Sequence, residues 1–247
     1  MRMEPTSLRS AAHPRAVGRK KMKLLIFDID GTLTETSKID TVCYVEAIKK
    51  VLNLDEIDTR WETYTYVTDS GIAEEISQRR RGIPASEDEL KEIEKEMVSL
   101  FEVRSKKLVN LFAPISGAKE AIDFFKKSEF LGISIATGGW EKSSRLKLNV
   151  SGIDVSGIPI ATSSDSFERE NIMKISLERA KDYYGETTFN EIIYFGDALW
   201  DYKASLNLGW RRIGIGKDIK KLMRLGVKAA FKDFHDLGGI QDAIAAQ

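Results

Sequence analysis

The chain has 247 residues, and its 38 basic side chains are balanced by 38 acidic ones. That neutrality excludes the basic surplus of a nucleic-acid-binding domain, and no run of roughly 20 apolar residues is present to span a bilayer. One cysteine, Cys43, and two histidines, His13 and His235, exclude an internal disulfide and a zinc-type ligand cluster; the lone thiol fits a reducing, cytoplasmic setting.

Residues 1–21 carry Arg2, Arg9, Arg15, Arg19, Lys20 and Lys21 against Glu4 alone, with no apolar periodicity. An Arg- and Ser-containing, acid-poor leader of this kind can be a transit peptide. The plainer expectation is a disordered tail over 1–22, or an upstream start codon with Met22 as the natural start. Leu24 to Phe27 is then a short continuous apolar run, which predicts a strand buried on both faces, as in the middle of a parallel sheet. It ends in two carboxylates one residue apart, Asp28 and Asp30, followed by Gly31, which permits a sharp turn.

Residues 35–38 read as a linker. Val42, Val45, Ile48, Val51 and Leu52 recur at helical spacing, predicting an amphipathic helix over 40–53. The stretch 58–67 is ambiguous. Thr68-Asp69-Ser70-Gly71 reads as a turn feeding a helix through Arg80, and Ser86 with Glu89 forms a capping box that opens a long charged helix to about Lys107. No strand is expected between Glu35 and Val109, so 35–111 is predicted to be an all-helical insert.

After Pro114, Ser116 is the expected cap of a helix whose apolar side holds Ala118, Ala121, Ile122, Phe124 and Phe125. Strands are then predicted at 131–136, 158–161, 191–195, 211–215 and 227–231. Helices are predicted at 143–148, 171–184, 200–206 and 218–225, and Asp233 to Leu237 reads as a terminal turn. Such alternation implies right-handed βαβ units and one parallel sheet, an α/β Rossmann-like three-layer core over 23–34 and 112–247. In such sheets ligands sit beyond the carboxyl ends of the strands. The polar punctuation falls at that end repeatedly: Asp28 and Asp30, Thr137 and Gly138, Asp197.

Two acids at the mouth of a buried strand are costly, because desolvation and mutual repulsion both favour their neutral forms. A bound cation removes that cost, and hard oxygen donors favour Mg²⁺, which takes further ligands from water and phosphate. The Thr137 hydroxyl and the amides near Gly138 suit a phosphate oxygen. Phosphoryl chemistry would also need a positive side chain to neutralise the transferring oxygens.

The run Asp28-Ile29-Asp30-Gly31-Thr32-Leu33-Thr34 resembles the first motif of the haloacid dehalogenase-like (HAD) superfamily of hydrolases. Gly196-Asp197-Ala198-Leu199-Trp200-Asp201 resembles its last acidic motif, and the strand ending at Thr137 its second. The helical insert between the first two motifs resembles the C1 cap of the phosphoglycolate phosphatase-like branch. The resemblance implies that Asp28 is the nucleophile and Asp30 the general acid/base. It implies that Thr137 and Gly138 bind phosphate, and that Mg²⁺ is held by Asp28, Asp197 and the backbone carbonyl of Asp30, with Asp201 a direct or water-mediated ligand or an orienting partner of the cation. It also calls for a Lys, or sometimes an Arg, as the third-motif cation. The Lys-Pro pair often found there is absent, and the residue type favours Lys174 slightly over Arg169. Cap residues Thr68, Asp69, Ser70 and Arg79 to Arg81 are placed to reach substrate.

The activity so implied is Mg²⁺-dependent hydrolysis of a small phosphorylated metabolite through an aspartyl-phosphate, by a monomer or homodimer with no nucleic-acid or membrane partner. A phosphosugar mutase is the alternative, because its motifs are nearly the same. A 2-haloacid dehalogenase is disfavoured by Asp30, because a departing halide needs no proton. A non-catalytic binding protein is disfavoured by the intact acid set.

Overall fold

A computed structural model describes residues 22–246. The tail expected over 1–22 lies, apart from Met22, outside the described residues. Six parallel strands form one sheet in the order β3-β2-β1-β4-β5-β6: β1 Lys23–Phe27, β2 Leu131–Ala136, β3 Ile160–Ala161, β4 Glu191–Gly196, β5 Arg211–Ile215 and β6 Ala229–Phe231. The α/β Rossmann-like expectation is met.

β1 lies in the middle because it can. Leu24, Leu25, Ile26 and Phe27 are all fully buried, and each such side chain contributes roughly 1.5–3 kcal/mol of apolar burial. Alternate residues serve opposite faces. Leu25 and Phe27 join Ile133, Ile135, Phe195 and Phe125 on one side, while Leu24 and Ile26 join Tyr194, Ile172 and Met173 on the other. Phe27 stacks on Phe195 with centroids 4.5 Å apart.

The strand order reverses at β1: the chain builds outward to β2 and β3 on one side, then to β4, β5 and β6 on the other. This switch point is where an open parallel sheet forms its ligand crevice. The register sets what lines it. Phe27 is level with Ile135 and with Phe195, so Asp28, Thr137 and Asp197 emerge together just past the sheet.

Between β1 and α4 (Ala118–Lys126) only helical elements occur: α1 Ser37–Leu52, α2 Asp69–Arg81, α3 Glu87–Ser105 and two short 3₁₀ turns, one of them at Trp61–Thr63 in the stretch whose sequence was ambiguous. This segment has an apolar cluster of its own, with Cys43, Ile48, Ile76, Ile93, Met97 and Phe101, joined by Trp140 from the sheet-bearing part. Thr68 caps α2 through its side chain, and the Ser86–Glu89 capping box opens α3 as expected. α1 begins three residues earlier than its periodicity suggested, at Ser37.

The remaining helices are α5 Glu141–Val150, α6 Arg169–Tyr184, α7 Leu199–Asn207, α8 Ile219–Arg224 and α9 Leu237–Ala245. One expectation fails here, and one element is new. Ser116 does not cap α4; that position falls to Gly117 at φ 76°, and the Ser116 hydroxyl pairs with His235 Nε2 at 2.7 Å instead. α9 was not foreseen. It is capped by Asp236, whose side chain accepts from the Gly239 amide, and it buries Ile240 and Ile244. Among the described residues, no helix is long and apolar enough to cross a membrane.

Candidate active site

A cavity of about 530 Å³ opens at the switch point, lined on the sheet side by Asp28, Asp30, Thr137, Gly138, Arg169 and Asp197. From the helical segment come Asp40, Tyr44, Trp61, Thr68 and Asp69. The structure thus gathers six of the sequence-predicted catalytic, phosphate and metal residues on the cavity wall, with Arg169 the cationic candidate among them.

Asp28 is 5% exposed, and its amide donates to the Phe195 carbonyl at 3.0 Å, which locks its position to β4. Burial first, then the nearby Asp201 carboxylate, pushes its pKa well above the usual range, against the pull of Arg169. Asp197 is raised to about 8 by burial, then by Asp201 and Asp30. Asp201 is fully buried at the first turn of α7; its Oδ2 accepts from the Ala198 amide at 3.1 Å.

Gly31 is needed twice over. Its φ is +80°, and a Cβ there would meet Asp197 Oδ2 at 2.3 Å. The turn after β1 and the approach of the last acidic motif therefore both require glycine. At Gly138 a Cβ would meet Arg169 Nη2 at 2.3 Å, so the second strand end is bare where the guanidinium crosses it.

Arg169 opens α6. Its Nη1 donates to Asp201 Oδ1 at 3.0 Å, and its Nη2 donates to the Val67 carbonyl at 3.0 Å. The same Nη1 lies 3.7 Å from Asp28 Oδ1. Although burial opposes the charge, Asp201, Tyr194 and Asp28 hold the guanidinium firmly protonated. Lys174, the slightly favoured cation at the sequence level, is on the exposed face of α6 and does not line the cavity. Geometry favours Arg169 over that preference: the helix turns residue 174 away from the face that carries residue 169. Arg79 and Arg80 are likewise exposed. Arg79 pairs with Glu75 and lies over the Tyr64 ring, while Arg81 pairs with Glu89. None of the three lines the cavity.

Thr68, Asp69 and Ser70 do come to the sheet-bearing part. The Thr68 hydroxyl donates to the Phe167 carbonyl at 2.8 Å, and the Ser70 hydroxyl donates to the Ser163 carbonyl at 2.9 Å. The Asp69 amide donates to the Gly138 carbonyl at 2.8 Å, and Asp69 Oδ2 accepts from the Trp140 amide at 3.0 Å. The helical segment is thereby seated directly on the loops that follow β2 and β3.

One buried cation escaped the sequence reading. Lys147 on α5 has no exposed surface and donates from Nζ to Asp30 Oδ2 at 2.6 Å and to Asp40 Oδ1 at 2.6 Å. Burial opposes its charge, yet Asp30, Asp40 and Asp69 raise its pKa above the ordinary lysine range. The available signal was its phase: Lys147 shares a helix face with the buried Ser143, Ser144 and Leu148.

One carboxylate oxygen from each of Asp28, Asp197 and Asp201 lies within 4.8 Å of the other two. Two buried acids and the half-buried Asp197, faced by one guanidinium and offering oxygen donors only, fit a hard divalent cation such as Mg²⁺.

The sequence profile of the haloacid dehalogenase-like hydrolases matches residues 22–209. The chain belongs to this hydrolase family. A hydrolase from Pseudomonas syringae is 22% identical, with a TM-score of 0.67 over 92% of this chain and all (100%) of that one. CbbY from Rhodobacter sphaeroides, solved as a mutant with xylulose-1,5-bisphosphate, is 17% identical with a TM-score of 0.66, over 88% of this chain and 96% of that one. A predicted phosphoglycolate phosphatase from Haemophilus somnus is 19% identical with a TM-score of 0.60, over 91% of this chain and 100% of that one. At these identities the solved structures establish the shared fold. The search of curated proteins finds no match.

Proposed function

We propose that this HAD-family hydrolase is a Mg²⁺-dependent phosphatase of small phosphorylated metabolites, working through an aspartyl-phosphate on Asp28. The observation that carries the reading is the pairing of Asp28 with a second acid, Asp30, on one cavity wall beside Thr137, Arg169 and Asp197. An Asp nucleophile alone would serve dehalogenation; a second acid at that place serves a leaving group that needs a proton.

Asp28 attacks phosphorus in line, and the bond to the leaving oxygen breaks as Asp30 supplies its proton. Asp30 then removes a proton from water, which attacks the acyl phosphate and releases inorganic phosphate. The Thr137 hydroxyl and the Gly138 region hold phosphoryl oxygens, and Arg169 offsets their charge. Asp201 orients Arg169 through their 3.0 Å contact. Asp28, Asp197 and the Asp30 carbonyl would hold Mg²⁺, which would supply charge neutralisation and alignment.

The helical segment over 35–111 serves as a cap, bringing Asp40, Tyr44, Trp61 and Asp69 over the cavity and excluding water. The buried free thiol of Cys43 fits a reducing compartment such as the cytoplasm.

Phosphate release from a panel of phosphorylated sugars, acids and nucleotides, with Mg²⁺ and with EDTA, tests the reading. Metal-dependent release from at least one member is expected. No release from any member overturns it, and migration of the phosphoryl group within a sugar without release would favour a mutase.

A further inference from the structure

The phosphatase reading gives no task to Lys147, although it is the most completely buried cation near the site. Its ammonium reaches Asp30 from the turn after β1 and Asp40 from the first turn of α1, and it lies in the field of Asp69 from the first turn of α2. The second oxygen of Asp30, Oδ1, accepts from the Thr36 hydroxyl. Both oxygens of the acid/base are therefore gripped, one by the entry to α1 and one by Lys147.

Stability is a weak reason to keep such an ion there. Replacing the whole buried ion group by apolar residues would often be neutral or stabilising, whereas removing the ammonium alone leaves the Asp30 and Asp40 carboxylates uncompensated. Charge balance is also a weak reason, since one ammonium faces three carboxylates. What Lys147 does uniquely is bond the carboxylate at the reactive wall to a carboxylate of the helical segment.

Resting on the phosphatase reading, we propose that Lys147 is a positioning residue: it fixes the Asp30 carboxylate against the cavity and, through Asp40, ties that placement to the seated helical cap. The acid/base is thus aligned with the leaving oxygen only when the cap helices lie in place. A misplacement of about 1 Å can cost on the order of 10²-fold in rate, so the ammonium acts on the proton-transfer step without touching substrate.

The test compares an alkyl phosphomonoester, whose leaving alkoxide needs a proton, with p-nitrophenyl phosphate, whose leaving phenolate does not. Asp30→Asn in the Mg²⁺-supplied enzyme should lose roughly 10²–10⁴-fold on the alkyl ester and far less on the aryl ester. Lys147→Met should show the same contrast, with a loss on the order of 10²-fold for the alkyl ester, a small loss for the aryl ester and a near-wild-type KM for the aryl ester. In the Asp30→Asn background it should add no further contrast. Lys147→Met/Asp40→Asn removes one charge of each sign and guards against misfolding; it should keep the alkyl-specific loss.

Equal losses on the two esters in either Lys147 variant, or none, overturn the proposal. So does return of the wild-type alkyl-to-aryl ratio in the double variant, which would assign Lys147 to balancing Asp40 alone. Failure of wild type on both esters overturns the phosphatase reading itself, a result distinct from loss of the contrast in the Lys147 variants.

Discussion

Arg169 donates to Asp201 at 3.0 Å from the same nitrogen that stands 3.7 Å from Asp28. One buried carboxylate thus steers a guanidinium towards another that carries the proposed chemistry. Arg169→Ala should lower kcat by roughly 10²–10³-fold, the usual cost of a lost charge-stabilising donor. Lys174→Ala, on the exposed face of α6, should leave turnover unchanged. Steady-state kinetics on one verified substrate decides, and a larger loss at Lys174 would reverse the assignment.

Asp28→Asn keeps the shape of the side chain and removes its negative charge. Turnover should vanish while the thermal melt stays cooperative. Beryllium fluoride with Mg²⁺ should inhibit wild type by mimicking the aspartyl-phosphate, and should fail to protect the Asn variant in a thermal-shift assay. Wild-type rates from Asp28→Asn would end the covalent mechanism.

The acid cluster predicts a coupling between pH, metal and stability. Burial first raises Asp40 to about 6 and Asp197 to about 8, so the folded state holds these protons more tightly than the unfolded chain. Their stabilising contribution is complete below the unfolded value of about 4 and is lost as pH rises through about 6 for Asp40 and about 8 for Asp197. Metal-free protein should therefore melt at a lower temperature at pH 8 than at pH 5. Mg²⁺ competes with the proton at Asp197, so its stabilisation should grow across the same interval, reaching about 2.7 kcal/mol at a hundredfold excess over Kd. Melts in EDTA and in Mg²⁺ across this range check it; a Tm that climbs with pH in EDTA contradicts it.

Gly31→Ala puts a methyl group 2.3 Å from Asp197 Oδ2 at a backbone φ of +80°. The strained backbone should cost roughly 1–2 kcal/mol, and displacement of Asp197 should raise the Mg²⁺ concentration needed for half-maximal activity. Denaturant midpoints and a Mg²⁺ titration read the two effects separately. An unchanged Mg²⁺ requirement would mean that Asp197 is not a ligand.

The parallel core was legible because its central strand is an uninterrupted apolar run and its helices repeat at 3.6-residue spacing. α9 was not, because Gly238 and Gly239 in its first turn mask the Ile240–Ile244 spacing with residues that disfavour helix. Between the two cations, residue type and phase point in opposite directions. Arg169 repeats with the buried Ile172, Met173, Ser176 and Ala180, whereas Lys174 falls between them. Lys147 was passed over for the converse reason: a lysine is normally solvated, and only the folded chain shows three acids from separate segments converging on it. The acids themselves needed no such help, since each follows a buried strand or opens a helix whose pattern is clear.

β1 carries the proposed nucleophile at its end, yet it cannot be held in the sheet by anything near it in the chain. Leu25 pairs with Ile133 on one side and with Ile193 on the other, and the Lys23 ammonium donates to the carbonyl of Ile244 in the last helix at 2.6 Å. Closing contacts so distant in sequence is entropically late. As the chain leaves the ribosome, the helices after β1 can gather by themselves while β1 waits for β2, β4 and α9. Reactivity should then arrive all at once, with the final turn of α9, and a chain cut short after β5 should carry every acidic motif and no activity.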